Sequence, residues 1–284
     1  PDQPSVRLRR ASSRNWKYQL DYLSINNHDP QFVRSKAPFA LDKGSVQCPR
    51  LPKSCDGQYT HKYWTRNSDF VCIMLSDMID ILFDGPDQKS AKHTLILAHG
   101  AGAPMDSGFM NVFAAGIGER GIRVARFEFP YMDGRRVTGK KRPPDRQPIL
   151  LQTWREVITQ IGRSAVNIGG KSMGGRMATL LAVAEDAPPI RRLICLGYPF
   201  HPPGRPEKKR TYHLSSLSVP TLMVQGDRDA MGNREDVEGY SFSPSIQLHW
   251  CPDGNHDLTP RKKSGYTKNG NWEAAMNTVA TFLS

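Results

Sequence analysis

From Met78 onward, short apolar runs alternate with stretches of helical spacing, and this alternation leaves few architectures open. Thr94-Leu95-Ile96-Leu97-Ala98 is apolar almost throughout, as a strand buried on both faces requires. Residues 106–119 then place Phe109, Val112, Phe113 and Ile117 at helical spacing and stop near Gly121. Ile122–Phe127 reads as the next strand, 130–148 as a Pro/Arg/Lys-rich loop and 150–161 as a helix. Ala165–Ile168 is a strand and Met173–Ala184 a helix. Leu193–Leu196 is a strand, and a second Pro-rich loop runs on through Arg210. Strands at Thr221–Val224 and Ile246–Trp250 and a helix at Asn271–Leu283 complete the series. Such a chain predicts an α/β fold: a mostly parallel sheet with helices on both faces. No internal repeat is visible.

Residues 1–77 behave differently. Pro, Ser, Asn, Asp and Arg recur, periodicity is weak, and apolar pieces such as Val71–Leu75 stay isolated. Too little apolar surface is present to offset chain entropy, so 1–77 is expected to be a poorly structured extension. A second reading makes Met78 the native start and the upstream stretch a non-native leader; peptides from before Met78 in the natural protein would exclude it. The domain built from the alternating segments is therefore assigned to 78–284.

The net charge is +12, with 12 Lys/Arg against 7 Asp/Glu in residues 1–77 and 27 against 20 in the remainder. Charge this evenly spread argues against a nucleic-acid module, which concentrates it on one face. No apolar run approaches the ~20 residues of a membrane span, and no apolar signal segment opens the chain, so no membrane association is expected. The five cysteines (Cys48, Cys55, Cys72, Cys195, Cys251) are odd in number and lack a Cys-x-x-Cys spacing. They predict a reduced, cytoplasmic protein with no disulfide framework and no structural zinc.

Gly170-Lys171-Ser172-Met173-Gly174 matches Gly-x-Ser-x-Gly, the turn that lifts a serine hydroxyl above a sheet. Glycine two residues either side of the serine removes side chains that would collide in so sharp a strand-to-helix turn. In a chain this long the five-residue pattern arises by chance with a probability of about 0.1. The strand before it and the helix after it raise its weight.

A serine hydroxyl needs a general base, and the base an orienting acid. In folds that carry this elbow, acid and then base follow the serine. Of the histidines after Ser172, His201 and His213 precede the best acid, and His249 sits inside a strand-like run. His256 lies just past that strand, in Pro252-Asp253-Gly254-Asn255-His256-Asp257, where open sheets collect catalytic groups. It is the candidate base. The acid is sought after Val224, in Gln225-Gly226-Asp227-Arg228-Asp229. Asp229 fits the Gly-x-x-Asp pattern; Asp227 is the runner-up, or a turn residue or partner for Arg228. Asp257 is read as structural. The oxyanion donors are expected at the N–H of Met173 and, from the small-residue loop His99-Gly100-Ala101-Gly102-Ala103, at Ala101, with Gly102 second. His99 precedes Ser172 and is read as bracing that loop.

Taken together, these segments resemble the α/β-hydrolase-like domain family of the third subunit of the NSL chromatin complex and its testis-expressed homologues, relatives of the dienelactone hydrolases. The residues that carry the resemblance are His99–Ser107, Phe129-Pro130-Tyr131-Met132, Gly169–Arg176, Leu196–Gly204 and Gln225–Asp229, over about 78–284. The resemblance implies an α/β-hydrolase fold without a large cap domain, and a serine hydrolase acting on an ester, thioester or related acyl compound without metal or organic cofactor. Some eukaryotic relatives serve as complex subunits. The alternative is therefore a non-catalytic protein whose basic loops (Arg135, Arg136, Lys140, Lys141, Arg142, Arg146; Arg205, Lys208, Lys209, Arg210; Arg261, Lys262, Lys263) contact nucleic acid or an acidic partner. In the enzymatic reading those loops favour an anionic acyl substrate.

Overall fold

A computed structural model describes residues 78–162 and 165–284 and, within 1–77, the backbone of five short strands. The remaining residues to which the extension reading applies lie outside the described ones. The chain divides into units Pro1–Thr60 and His61–Ser284. In the first, β1 (Val6–Leu8), β2 (Leu20–Asn26) and β3 (Asp29–Arg34) pair antiparallel in that order. In the second, β4 (Lys62–Arg66) and β5 (Asp69–Ile73) form an antiparallel pair of their own.

The alternating segments of the second unit build one sheet. Its strands are β6 (Ile81–Asp84), β7 (His93–Ala98), β8 (Ile122–Phe127), β9 (Val166–Lys171), β10 (Ile190–Leu196), β11 (Thr221–Gly226) and β12 (Ile246–Cys251). They lie in the order β12-β11-β10-β9-β7-β8-β6. All neighbours run parallel except β6, which pairs antiparallel with β8 at the edge. Helices α1 (Gly108–Glu119), α2 (Pro130–Thr138), α3 (Gln147–Ile161), α4 (Met173–Ala182) and α5 (Arg234–Glu238) fill the connections, and α6 (Lys268–Leu283) follows the last strand.

The strand pattern has a direct packing cause. Leu95 and Leu97 of β7 join Phe113 and Ile117 of α1 and Val279 of α6 in one core. The intervening Ile96 and Ala98 join Trp154 and Val157 of α3 and Leu181 of α4 in a second core on the opposite face. Strands covered on both faces are buried at every position, as β9 and β11 are, and are mostly apolar; their polar residues Asn167, Lys171, Thr221 and Gln225 are bonded within the fold. Trp154, fully buried, stacks edge-on against Phe127 at 4.8 Å and anchors the second core.

Three elements depart from the sequence reading. The stretch 130–148, expected as loop, holds α2: Pro130 starts the helix, Tyr131 and Met132 bury its first turn, and Gly139 (φ 68°) ends it. Proline at the start and glycine past the end are helix boundaries, but the arginines between them hide the short apolar face. Strand β6 is four residues long and lies at an edge, too short for a periodic signal. Helix α5 spans five residues and is held by a capping box between Asn233 and Asp236.

Successive strands step from β7 to β8 in one direction, then from β9 through β12 in the other. The reversal lies between β7 and β9. In an open α/β sheet the loops at the carboxyl ends diverge at such a reversal, which is the usual ligand position. Among the described residues no helix is long and apolar enough to cross a membrane.

Candidate active site

Ser172 stands at this reversal, between the end of β9 and the start of α4, with φ 52° and ψ −114°. A non-glycine residue held there stores about 1–3 kcal/mol of backbone strain, which only surrounding packing sustains. The packing is visible in the two flanking glycines. A Cβ on Gly170 would lie 2.5 Å from the Gly174 carbonyl carbon, and one on Gly174 would lie 2.6 Å from the Ala98 oxygen. The strand end, the helix start and the end of β7 are therefore in near backbone contact, and the serine is turned outward.

His256 and Asp229 arrive from the loops after β12 and β11. Ser172 Oγ lies 2.8 Å from His256 Nε2, and His256 Nδ1 lies 2.7 Å from Asp229 Oδ2. A carboxylate only accepts, so Nδ1–H donates to Asp229 and the bare Nε2 accepts the serine hydroxyl. Asp229 is completely buried. Its Oδ2 also accepts from Gln225 Nε2 at 2.8 Å, and its Oδ1 from the Met231 N–H at 2.9 Å. Gln225 in turn accepts the Tyr198 N–H at 2.7 Å. Asp227 serves the turn with its backbone: its N–H donates to Cys251 and its carbonyl accepts from Arg234. Arg228 pairs with Asp253 rather than with Asp227. His249 stays within β12, beside Thr278.

The loop after β7 passes over the elbow: a Cβ on Gly100 would sit 3.6 Å from Ser172 Cβ. His99 is fully buried and braces it. The Phe129 N–H donates to His99 Nε2 at 3.2 Å, so the ring proton is on Nδ1, which donates to the Gly100 carbonyl at 2.7 Å. Burial holds the imidazole below its usual pKa and keeps it neutral. The Gly100 carbonyl and the Ala101 N–H belong to one trans peptide and point in opposite directions. Fixing the carbonyl therefore fixes the N–H. Tyr131 Oη donates to the Ala101 carbonyl at 3.0 Å and pins the next peptide. Met173 is the first helical residue of α4, so its N–H has no partner within the helix.

Farther along, Glu128 accepts the Met105 N–H at 3.0 Å and takes Arg136 at 2.6 Å, while Arg136 also reaches Asp106 at 2.7 Å. Arg126 bonds the Met105 carbonyl at 2.6 Å and Asp84 at 2.8 Å. Arg136, assigned from sequence to a free basic loop, thus lies on α2 and is spent within the fold.

Sequence reasoning missed Gln225, Tyr131 and Lys171, whose contacts exist only once distant loops meet. Lys171 donates from Nζ to the His256 carbonyl at 2.7 Å. Among the described residues no group of three or more His, Cys, Asp or Glu is placed to hold a metal ion.

Solved structures share this architecture. The ferulic-acid complex of Est1E from Butyrivibrio proteoclasticus aligns over 72% of this chain and 93% of its own, with a TM-score of 0.53 and 17% identity. Dienelactone hydrolase from Anabaena variabilis aligns over 79% and 96%, at 0.53 and 17%. An alpha-beta serine hydrolase homologue from Coxiella burnetii aligns over 79% and 97%, at 0.53 and 16%. At such identities the likeness speaks to the fold. Residues 91–284 match the alpha/beta hydrolase domain family. The sheet order, the elbow at its reversal and this match together make the chain a member of the alpha/beta hydrolase domain family.

Proposed function

We propose that the chain is a serine hydrolase that cleaves a carboxylic ester, thioester or related acyl compound, as a carboxylesterase or dienelactone-hydrolase-like enzyme. The observation that carries this reading is the unbroken relay Asp229–His256–Ser172 at 2.7 and 2.8 Å, ending on a serine in strained backbone geometry. Ser172 Oγ attacks the acyl carbonyl while His256 Nε2 takes its proton. The N–H groups of Ala101 and Met173 receive the oxyanion. The intermediate collapses, the leaving group departs with the proton from the imidazolium, and the acyl group stays on Ser172. Water, deprotonated by His256, then releases the acid and restores the serine. Asp229 holds the imidazole in the tautomer this sequence needs. No metal or organic cofactor enters any step.

An anionic group on the substrate is favoured by Arg176 and Arg210. Arg176 follows Ser172 by one helical turn, and its Nε is buried without a hydrogen-bond partner. Its charge and partial burial hold Arg210 below the usual arginine pKa, burial being the larger cause. Among the described residues neither guanidinium makes an ion pair. Arg176 on the helix of the nucleophile and Arg210 on the loop after β10 are thus two cations without an ion pair, which a carboxylate or similar anion would balance. Cys195 and Cys251, buried and unpaired, fit a cytoplasmic setting. Within the family, the motifs at 99–107 and 169–176 favour the branch of the NSL-complex third subunit and its testis-expressed homologues.

The test is hydrolysis of p-nitrophenyl acetate against mono-p-nitrophenyl succinate. Wild type is expected to cleave both and to prefer the succinate in kcat/KM. Ser172→Ala removes both activities, and Arg176→Met removes the preference. Folded wild type that cleaves neither ester contradicts the enzyme; cleavage without preference contradicts only the anionic substrate.

A further inference from the structure

Lys171 occupies the variable position of the elbow motif, directly before Ser172. A lysine is ordinarily solvated, yet this side chain is 9% exposed. Burying an ammonium is costly unless its charge and donors are met. Desolvation pushes this ammonium below the usual lysine pKa, and Asp257 and Asp229 oppose the shift.

Its partners explain why the burial is tolerated. Nζ donates to the backbone carbonyl of His256 at 2.7 Å and faces Asp257 Oδ1 at 3.2 Å. Phe109 of α1 covers it, with the ring 5.3 Å away. Gly197, after β10, is left-handed (φ 64°), and a Cβ there would lie 3.1 Å from Nζ and 2.6 Å from the His256 oxygen. Only a glycine leaves the passage through which the lysine reaches the base loop. The charged groups facing the ammonium are Asp257 on that loop and Asp229 on the loop after β11; α1 presents an aromatic face and the turn after β10 a glycine.

We propose that Lys171 is a positioning residue that clamps the main chain of His256 to the strand end carrying Ser172. The inference rests on the hydrolase reading above. The imidazole ring is held at both nitrogens, by Asp229 and by Ser172. The main chain is held on either side of the base, at the Gly254 carbonyl by the Arg228 N–H at 3.0 Å and at the Asp257 carbonyl by Trp272 Nε1 at 2.8 Å, and the Lys171 bond fixes the peptide of His256 itself, between those two points. Nucleophile and base then hang from one strand end. The lysine does not touch substrate; it acts through His256.

Lys171→Met tests this, since methionine keeps much of the length and the apolar stem but loses charge and donors. Fluorophosphonate labelling of folded wild type comes first: its absence refutes the hydrolase reading itself, independently of Lys171. With labelling present, Lys171→Met is expected to lower kcat for p-nitrophenyl acetate about 10- to 100-fold with KM within about twofold. The acid limb of the kcat/KM profile moves to higher pH, because a cation leaves the neighbourhood of the imidazole and Asp257 is left uncompensated. A lysine that only stabilised the fold would lower Tm and leave kcat and the limb in place. Should the methionine variant not fold, Lys171→Gln, smaller and still a donor, is read in the same way with a smaller fall. Either folded variant of Lys171 with kcat within about twofold of wild type and an unmoved acid limb overturns the proposal.

Discussion

The loop after β7 and the loop after β12 both reach Ser172, but they are held by different means. The first is braced at successive peptides by neutral His99 and Tyr131, and beyond them by Arg126, Glu128 and Arg136. The second is tied to its surroundings by the Asn255 side chain, which accepts the Asp257 and Thr259 N–H groups, by Asn271 and Trp272 of α6, which donate to the Pro252, Leu258 and Asp257 carbonyls, and by the Arg228 N–H on the Gly254 carbonyl. The Lys171 bond and the His256 ring join it to the elbow. An oxyanion donor serves best when it cannot move, because its dipole must already point at the developing charge. A general base exchanges its proton with two partners in turn and depends on a few well-placed contacts. In the proposed enzyme the first loop is therefore braced where it would aim a donor, and the second is braced on both sides of His256 and joined to the elbow at that residue.

Substitutions can break that contrast. On the base side, Asp229→Asn is expected to lower kcat about 10⁴-fold with the fold intact, because an amide no longer fixes the proton on Nδ1. Steady-state kinetics with a melting curve checks it; a loss under about tenfold would place the orienting acid elsewhere. On the other side, His99→Phe releases the Gly100–Ala101 peptide and is expected to lower kcat about 10²-fold, the scale of one misdirected oxyanion donor. An unchanged kcat would remove Ala101 from the donor pair. Arg136→Met is the mildest. Met105 and the loop retain Arg126 and Tyr131, so kcat is expected to stay within about threefold while Tm falls by a few degrees. A larger kinetic loss would show that the braces are not redundant.

Much of this was legible before the fold was known, for identifiable reasons. Strands such as β7 and β11 are covered on both faces, so nearly every residue in them carries the signal. The elbow is legible because its backbone geometry admits only glycine at Gly170 and Gly174. Asp229 and His256 were singled out from chain order and from their places at strand ends, and the fold sets them in series within hydrogen-bond reach of Ser172. Gln225, Tyr131 and Lys171 were not legible, since each acts through a contact with a residue at least four positions away whose partner the fold alone supplies. Lys171 is the sharpest case: its charge belongs to the surface by composition, and its burial depends on a carbonyl 85 residues away. Helix α2 escaped because its buried face is only Tyr131 and Met132.

The central claim is that the Ser172 hydroxyl gives up its proton through His256 to attack an electrophile. Fluorophosphonate treatment followed by peptide mass spectrometry tests it most directly. One adduct per chain is predicted, on the peptide bearing Ser172, absent in Ser172→Ala and slowed in His256→Ala. Folded wild type that takes up no phosphonate, or takes it up equally well without Ser172, would contradict the account.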